Sequence, residues 1–321
     1  MSGRATLWVR NPPCDQLLAC LDSGDGVAFA KRTHGIWDHL ALLTTGGWTA
    51  DEYRRCDQMI FKRTAEPTLE VVRQRQAYLE YLEEILDDVV RPPDDPRWIQ
   101  TISLDLDYLT GKLRKPAFSL RASVDPRLLS YWQWDYSYGD LIRRFELGER
   151  SFQFAQTLTR GLVSLSLLEL PQIARRYHVV VVAPEKMRDL ADRWHLDPEH
   201  FTFQPSPPWP DRRPNGSLFS DPVLPALRTH VTRHRLLEQL QSITTTRPRL
   251  YLFELGTCAQ WLIARLFRAR PGDSYLDMGR CLEAWYPDTP WPLKAPVAAV
   301  YRRAAQAYYG RARYLALRAR S

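Results

Sequence analysis

Apolar residues along this chain fall into two spacings, and the exchange between them predicts the elements. Residues 14 to 21 carry apolar side chains at helical spacing, and Asp22-Ser23-Gly24-Asp25-Gly26 then breaks the helix. Val27-Ala28-Phe29-Ala30 reads as a short strand. A loop-rich stretch with His34 and His39 comes after it, and Thr49 with Glu52 three residues on has the form of a capped helix start. Residues 67 to 91 give the clearest amphipathic helix, ended by Pro92-Pro93-Asp94-Asp95-Pro96. Residues 97 to 150, including Asp105, Asp107 and an aromatic run from Tyr131 to Tyr138, suit helix or strand equally.

The second half has a steadier rhythm. Residues 154 to 176 suit a helix interrupted at Pro171, and the β-branched run Val179 to Val182 reads as a buried strand. A helix over 185 to 195 and a strand at Phe201 to Gln204 come next. A proline-rich loop over 205 to 225 leads to a helix from Leu224 to Ile243. Leu250 to Glu254 is a strand, Gly256-Thr257-Cys258 turns it into a helix over 259 to 268, and Ser274 to Gly279 is a last short strand with its turn. Strand, turn and helix in repetition predict an α/β fold: a Rossmann-like parallel sheet flanked by helices, with a helical insertion in the N-terminal half. The expected organisation is an N-terminal part over 1–150, a nucleotide-binding half over 151–290 and a basic helix or tail over 291–321.

Composition narrows the setting. The chain of 321 residues has 45% hydrophobic residues, enough for a sizeable core, and no apolar run long enough to span a bilayer. Residues 1 to 13 lack the apolar core of a signal peptide, and five cysteines without a Cys-x-x-Cys pair argue for reduced thiols and against zinc, so a cytoplasmic setting is expected. The net charge of +7 is carried mainly by arginine, and eleven tryptophans and fifteen tyrosines accompany it. Arginine beside aromatic side chains suits phosphate and base contacts, and equally reflects a GC-rich genome. Residues 301–321 concentrate the charge: Arg302, Arg303, Arg311, Arg313, Arg318 and Arg320 stand there without an acid, interleaved with tyrosines, as in a segment that tracks a polyanion.

Three short strings could carry chemistry. Gly24-Asp25-Gly26 places a carboxylate between two glycines that let a ligand approach the backbone, so Asp25 is a candidate base or metal ligand; a plain turn explains it as well. Glu254-Leu255-Gly256-Thr257 ends a strand and opens a helix, the place where open α/β sheets bind ligands and where amide groups suit a phosphate. It lacks the full Gly-x-Gly-x-x-Gly, which argues against a dinucleotide site or a P-loop. Asp277 and Gly279 come after the last strand, where a carboxylate can meet a ribose. Lys31 could neutralise a diphosphate, His34 could act as a base, and Arg160 could reach a phosphate from its helix.

The order of these pieces resembles the glycosyltransferases of the GT-D fold type, over roughly 20–45 and 152–286. A Gly-Asp-Gly turn comes first, then the strand ending in Ala183-Pro184-Glu185, then LYLFELGTCAQWLIARLF, then SYLDMGRCLEAW. The resemblance implies a nucleotide-sugar co-substrate, with Gly24, Gly26, Lys31, Arg160, Glu254, Gly256, Thr257, Asp277 and Gly279 around the donor, Asp25 and His34 catalytic, and a Mn or Mg ion at Asp25. One departure weakens the metal: Val27 stands where the family pattern has the glutamate of its Asp-x-Glu pair. The reading requires Asp25 to meet the Gly256 turn within about 15 Å, the span of one donor in one pocket.

The expected activity is transfer of a sugar to a hydroxyl. The basic charge suits a DNA acceptor, for example a hydroxymethylated base of the phage type flipped from the duplex, in which case the cytoplasm is that of a host cell. A protein or glycan acceptor is the alternative. A nucleic-acid-binding α/β protein without catalysis is the rival from another class.

Overall fold

The computed structural model describes residues 7–10, 15–30, 80–81, 83–88, 93–102, 120–122, 151–154, 166, 169–206, 225–256, 258–279 and 281–286. Nine strands among them form one sheet. They are β1 (Leu7–Arg10), β2 (Val27–Ala30), β3 (Trp98–Ile102), β4 (Leu120–Ala122), β5 (Ser151–Phe154), β6 (His178–Pro184), β7 (Phe201–Ser206), β8 (Arg249–Phe253) and β9 (Ser274–Asp277). Their order is β4-β1-β5-β3-β2-β9-β8-β6-β7. Every neighbouring pair is parallel except β4 with β1 at one edge. The α/β fold with a parallel sheet is therefore as the sequence predicts. Strand β2 pairs with β9 and joins the early strands to the late ones.

The helices are α1 (Asp15–Ser23), α2 (Leu170–Ala174), α3 (Leu190–Arg193), α4 (Pro225–Gln241) and α5 (Cys258–Ala269), with further helical residues within 80–88. Of the helix expected over 185 to 195, the chain forms a 3-10 turn at Glu185–Met187 and the short α3. Much of the helix expected from 154 to 176 lies outside the described residues; those described are Phe154 at the end of β5, the helical Ser166 and the short α2, with Pro171 in its first turn, where proline is tolerated.

Side-chain alternation divides the core into two layers. On one face Val27, Phe29, Val179, Val181, Leu250, Leu252 and Leu276 pack with Leu17 and Leu21 of α1, Ile173 of α2 and Leu190 of α3. On the other, α5 lies over β2 and β9 and against α4. Nine of its twelve residues are buried, as a helix covered on both sides requires. Ala28 and Ala30 alternate with the larger Val27 and Phe29, which leaves small side chains on the α5 face of β2. Beneath α5, Tyr251 stacks on Tyr275 with ring centres 5.0 Å apart, and Phe267 meets Tyr275 edge-on at 6.3 Å. The two buried hydroxyls are satisfied: Tyr251 donates to Leu240 O at 3.2 Å and Tyr275 to Arg270 O at 2.9 Å.

A polar seam closes this face. Glu84 accepts from Arg233 at 2.6 Å and from the Trp261 indole, and Asp88, fully buried, pairs with Arg265 at 2.7 Å and with Arg268. Buried charges in this number require such pairing, since an isolated one would cost several kcal/mol, on the order of the stability of a domain.

The Gly-Asp-Gly turn has a structural cause. Gly24 ends α1 in the left-handed region at φ +76°, its N–H donating to Cys20 O at 3.1 Å. Gly26, at φ +78°, passes so close to the turn before β9 that a Cβ would lie 2.8 Å from Asp273 O and 2.7 Å from the Gly272 carbonyl carbon, while around Gly24 a Cβ meets nothing within 4 Å. Gly26→Ala is therefore expected to destabilise the fold by at least ~2 kcal/mol, and Gly24→Ala, with only the dihedral cost, by about 1 kcal/mol. Urea unfolding of the two variants decides this; equal losses would show that crowding at Gly26 has no weight.

Candidate functional site

In a parallel sheet the two edges differ in kind, and a ligand crevice opens at the carboxyl edge where neighbouring strands send their connections to opposite faces. Here β8 leads into α5 on one face. Its neighbours β6 and β9 lead to the other: Met187, Leu190 and Ala191 after β6, and Cys281 and Leu282 after β9, belong to the core layer of α1 and α2. The switch therefore falls at the end of β8, between Pro184–Glu185 on one side and Asp277–Gly279 on the other.

Two glycine turns meet at this switch. Gly256 (φ +61°) and Gly279 (φ +58°) are both in the left-handed region and partly exposed. Phe253 and Asp277 are in register, and the Met278 N–H donates to Phe253 O at 2.9 Å, so the turns leave adjacent strands at the same level. The α5 N-terminus begins beside Gly256, and its positive pole lies at this edge.

The carboxylates expected to reach a ligand here are turned inward. Glu254 is 1% exposed and accepts from the Leu282 N–H at 2.7 Å. Asp277 is 3% exposed and accepts from the Gly279 N–H at 3.0 Å, closing its own turn. Both stabilise the shape of the edge, where Gly256 and Gly279 offer backbone. Cys258, at the start of α5, is buried, which pushes its thiol up to about 12, so it is not a nucleophile at neutral pH.

Asp25 lies at the other edge. Val27 is level with Ser274 and Phe29 with Leu276, so Asp25 precedes the start of β2 while Asp277 is level with its end. The parallel register thus sets Asp25 before the amino end of β2, while Gly256 follows the carboxyl end of β8. The expected meeting of Gly24, Asp25 and Gly26 with the Gly256 turn does not occur, because parallel pairing puts the start of β2 beside the start of β9. Asp25 is exposed, and its carbonyl accepts from Arg97 Nη1 at 2.5 Å. Arg97 also binds Pro271 O at 3.2 Å and the Asp95 carboxylate, bracing the turn. Asp22 is paired with Arg176 at 2.7 Å, and among the described residues no group of three or more His, Cys, Asp or Glu could hold an ion.

Lys31, His34, Arg160 and Thr257 lie outside the described residues, as do Arg302, Arg303, Arg311, Arg313, Arg318 and Arg320. Sequence reasoning missed the bracing role of Arg97 and the partners of Arg233, Arg265 and Arg268. The acids Glu80, Glu84 and Asp88, four apart on the helix expected over 67 to 91, were the available signal for a polar helix face.

Comparison of the chain with protein-family models, with curated proteins and with solved structures gives no match. Among the described residues no helix is long and apolar enough to cross a membrane.

With Asp25 on the amino edge, Asp25→Asn is expected to leave nucleotide binding at the carboxyl edge unchanged and stability within about 0.5 kcal/mol. Isothermal titration with nucleoside diphosphates checks it, and a variant that binds markedly more weakly would return Asp25 to the site.

Proposed function

We propose that the carboxyl edge around β8 and β9 binds a nucleotide-sugar donor and that the chain transfers its sugar to a hydroxyl. The observation that carries the reading is the switch of connections at the end of β8, with the Gly256 and Gly279 turns and the start of α5 converging there. The glycine turns offer backbone to a diphosphate and the helix pole favours its charge. The reaction type and the GT-D likeness come from the sequence strings, and the reading does not depend on Asp25 or on a metal at that turn.

In the transfer, the bond from the anomeric carbon to the diphosphate breaks and one to the acceptor oxygen forms. The acceptor proton passes to a base, and nucleoside diphosphate leaves. The base is assigned to the sequence after Ala30, the last residue of β2 at the carboxyl edge; His34 is the candidate there, with Lys31 for the diphosphate.

Nucleotide-sugars and nucleoside diphosphates are expected to raise the melting temperature: at a ligand concentration 100 times Kd the gain is about 2.7 kcal/mol. No shift with any uridine, guanosine, adenosine, cytidine or thymidine diphosphate or its sugars would overturn the reading and leave a protein without a nucleotide site.

DNA is the proposed acceptor class, on the net charge of +7 and the six arginines from Arg302 to Arg320. If about four of them contact phosphates, the log–log salt slope of duplex binding is expected near about −3.6, and removing residues 311–321 makes it shallower for all sequences alike. An unchanged slope after truncation moves the acceptor to a protein or glycan.

A further inference from the structure

We infer that Glu254 is a positioning residue: its buried carboxylate ties the Gly279 turn to the Gly256 turn, so that the two act as one cradle. This rests on the carboxyl edge being the ligand site.

The segment after β9 is held from several sides. Ser166 Oγ donates to Cys281 O at 3.3 Å, and the Trp285 indole to Ser166 O at 3.0 Å. From α3 and the turn before it, Asp189 accepts from the Tyr286 hydroxyl at 2.9 Å, and Arg193 reaches Trp285 O at 2.9 Å. These contacts fix residues 281–286 against the α3 layer, and none of them comes from β8. The Gly256 turn has its own anchor, the Glu254 N–H donating to Val182 O at 2.8 Å, which fixes it to β6.

Between the two systems the backbone offers the Met278 N–H to Phe253 O bond, placed before Gly279. Glu254 supplies the link beyond the turn. Its backbone belongs to the β8 anchor while its Oε1 accepts from the Leu282 N–H, three residues past Gly279. Leu282 lies in the 3-10 turn Cys281–Trp285, so the Glu254 carboxyl meets an N–H at the start of that turn. The Gly279 turn is thus closed on both sides by groups that β8 carries. A hydrogen bond in a water-excluded setting is stiff, and the turns it spans can present their backbones to one ligand without first being ordered.

The experiment measures Kd for uridine, guanosine, adenosine, cytidine and thymidine diphosphates, each separately, in the full chain and at a temperature where every variant is fully folded by circular dichroism. Amide hydrogen exchange at Gly279 and Leu282 is followed without ligand. Glu254→Ala is expected to weaken the bound probe by about tenfold or more and to speed both amides by about tenfold. Glu254→Gln keeps an acceptor oxygen for Leu282 and is expected to restore both within about twofold. Tyr177→Phe serves as the comparison: it removes the buried bond from Tyr177 Oη to Leu21 O, 2.5 Å long, and is expected to lower stability with no change in Kd.

Wild-type affinity in Glu254→Ala, or Glu254→Gln as weak as Glu254→Ala, overturns the positioning role. A fall in affinity in Tyr177→Phe as large as in Glu254→Ala does the same, since the loss would then follow stability alone. If Glu254→Ala does not fold, Glu254→Gln decides, wild-type affinity supporting the role and a tenfold loss overturning it. No probe binding to the wild type is a different result, and it removes the ligand reading itself.

Discussion

Strand β2 runs parallel to β9, with Val27 beside Ser274 and Phe29 beside Leu276, and this pairing decides which residues can share a site. A parallel ladder cannot bring the start of one strand to the end of its neighbour. Asp25 and Gly26, which enter β2, are thereby set among Pro271, Gly272 and Asp273, which enter β9. Glu254, Gly256, Asp277 and Gly279, which leave β8 and β9, gather at the opposite edge. The four glycines at positive φ divide likewise. At the amino edge Gly26 makes room for a neighbouring backbone, and at the carboxyl edge Gly256 and Gly279 turn the chain beside the start of a helix. The same residue type answers to crowding in one place and to turn geometry in the other.

The charged groups divide in the same way. At the amino edge acids meet arginines: Asp273 binds Arg249 at 2.7 Å, Asp95 binds Arg97, and Asp22 binds Arg176. The Asp273–Arg249 pair joins the beginnings of β8 and β9, as Glu254 joins the turns beyond their ends. At the carboxyl edge the two buried carboxylates meet backbone N–H groups instead. The seam of Glu84, Arg233, Trp261, Arg265 and Asp88 matters for the same edge, because it holds α5 and therefore the place of its first turn.

Strand and helix positions of the second half were legible because parallel strands covered on both faces are apolar throughout, as in Val179 to Val182 and Leu250 to Phe253. Their order in the sheet was not legible. Nothing in the spacing of Val27 to Ala30 tells that β2 lies between β3 and β9, and the pairing is long-range, with more than half the chain between β2 and β9. The carboxyl-edge site could be read from Gly256 because a strand–glycine–helix string is local. The roles of Glu254 and Asp277 could not, since each depends on an amide brought near by the fold of the next turn. The Gly-Asp-Gly string is ambiguous in sequence for a physical reason. Glycine at positive φ marks both a ligand-approached turn and a crowded one, and only the neighbouring backbone distinguishes them.

What the edge lacks constrains the chemistry as firmly as what it holds. Glu254 and Asp277 are spent on turn geometry, and the Cys258 thiol is buried with its ionisation pushed up to about 12. The described residues at the switch thus offer binding through backbone and helix pole more than they offer a proton acceptor. A transferase built on this edge has to draw its base from elsewhere in the chain. Strand β2 ends at Ala30 on the same edge and next to β9, and the sequence that continues from it begins Lys31-Arg32-Thr33-His34. A strand that enters the sheet through the Gly-Asp-Gly turn thus leaves it at the edge where the donor is proposed to bind. In the proposed transfer the base would therefore come from the sequence after β2, while the acidic turn before β2 packs against the turn that enters β9.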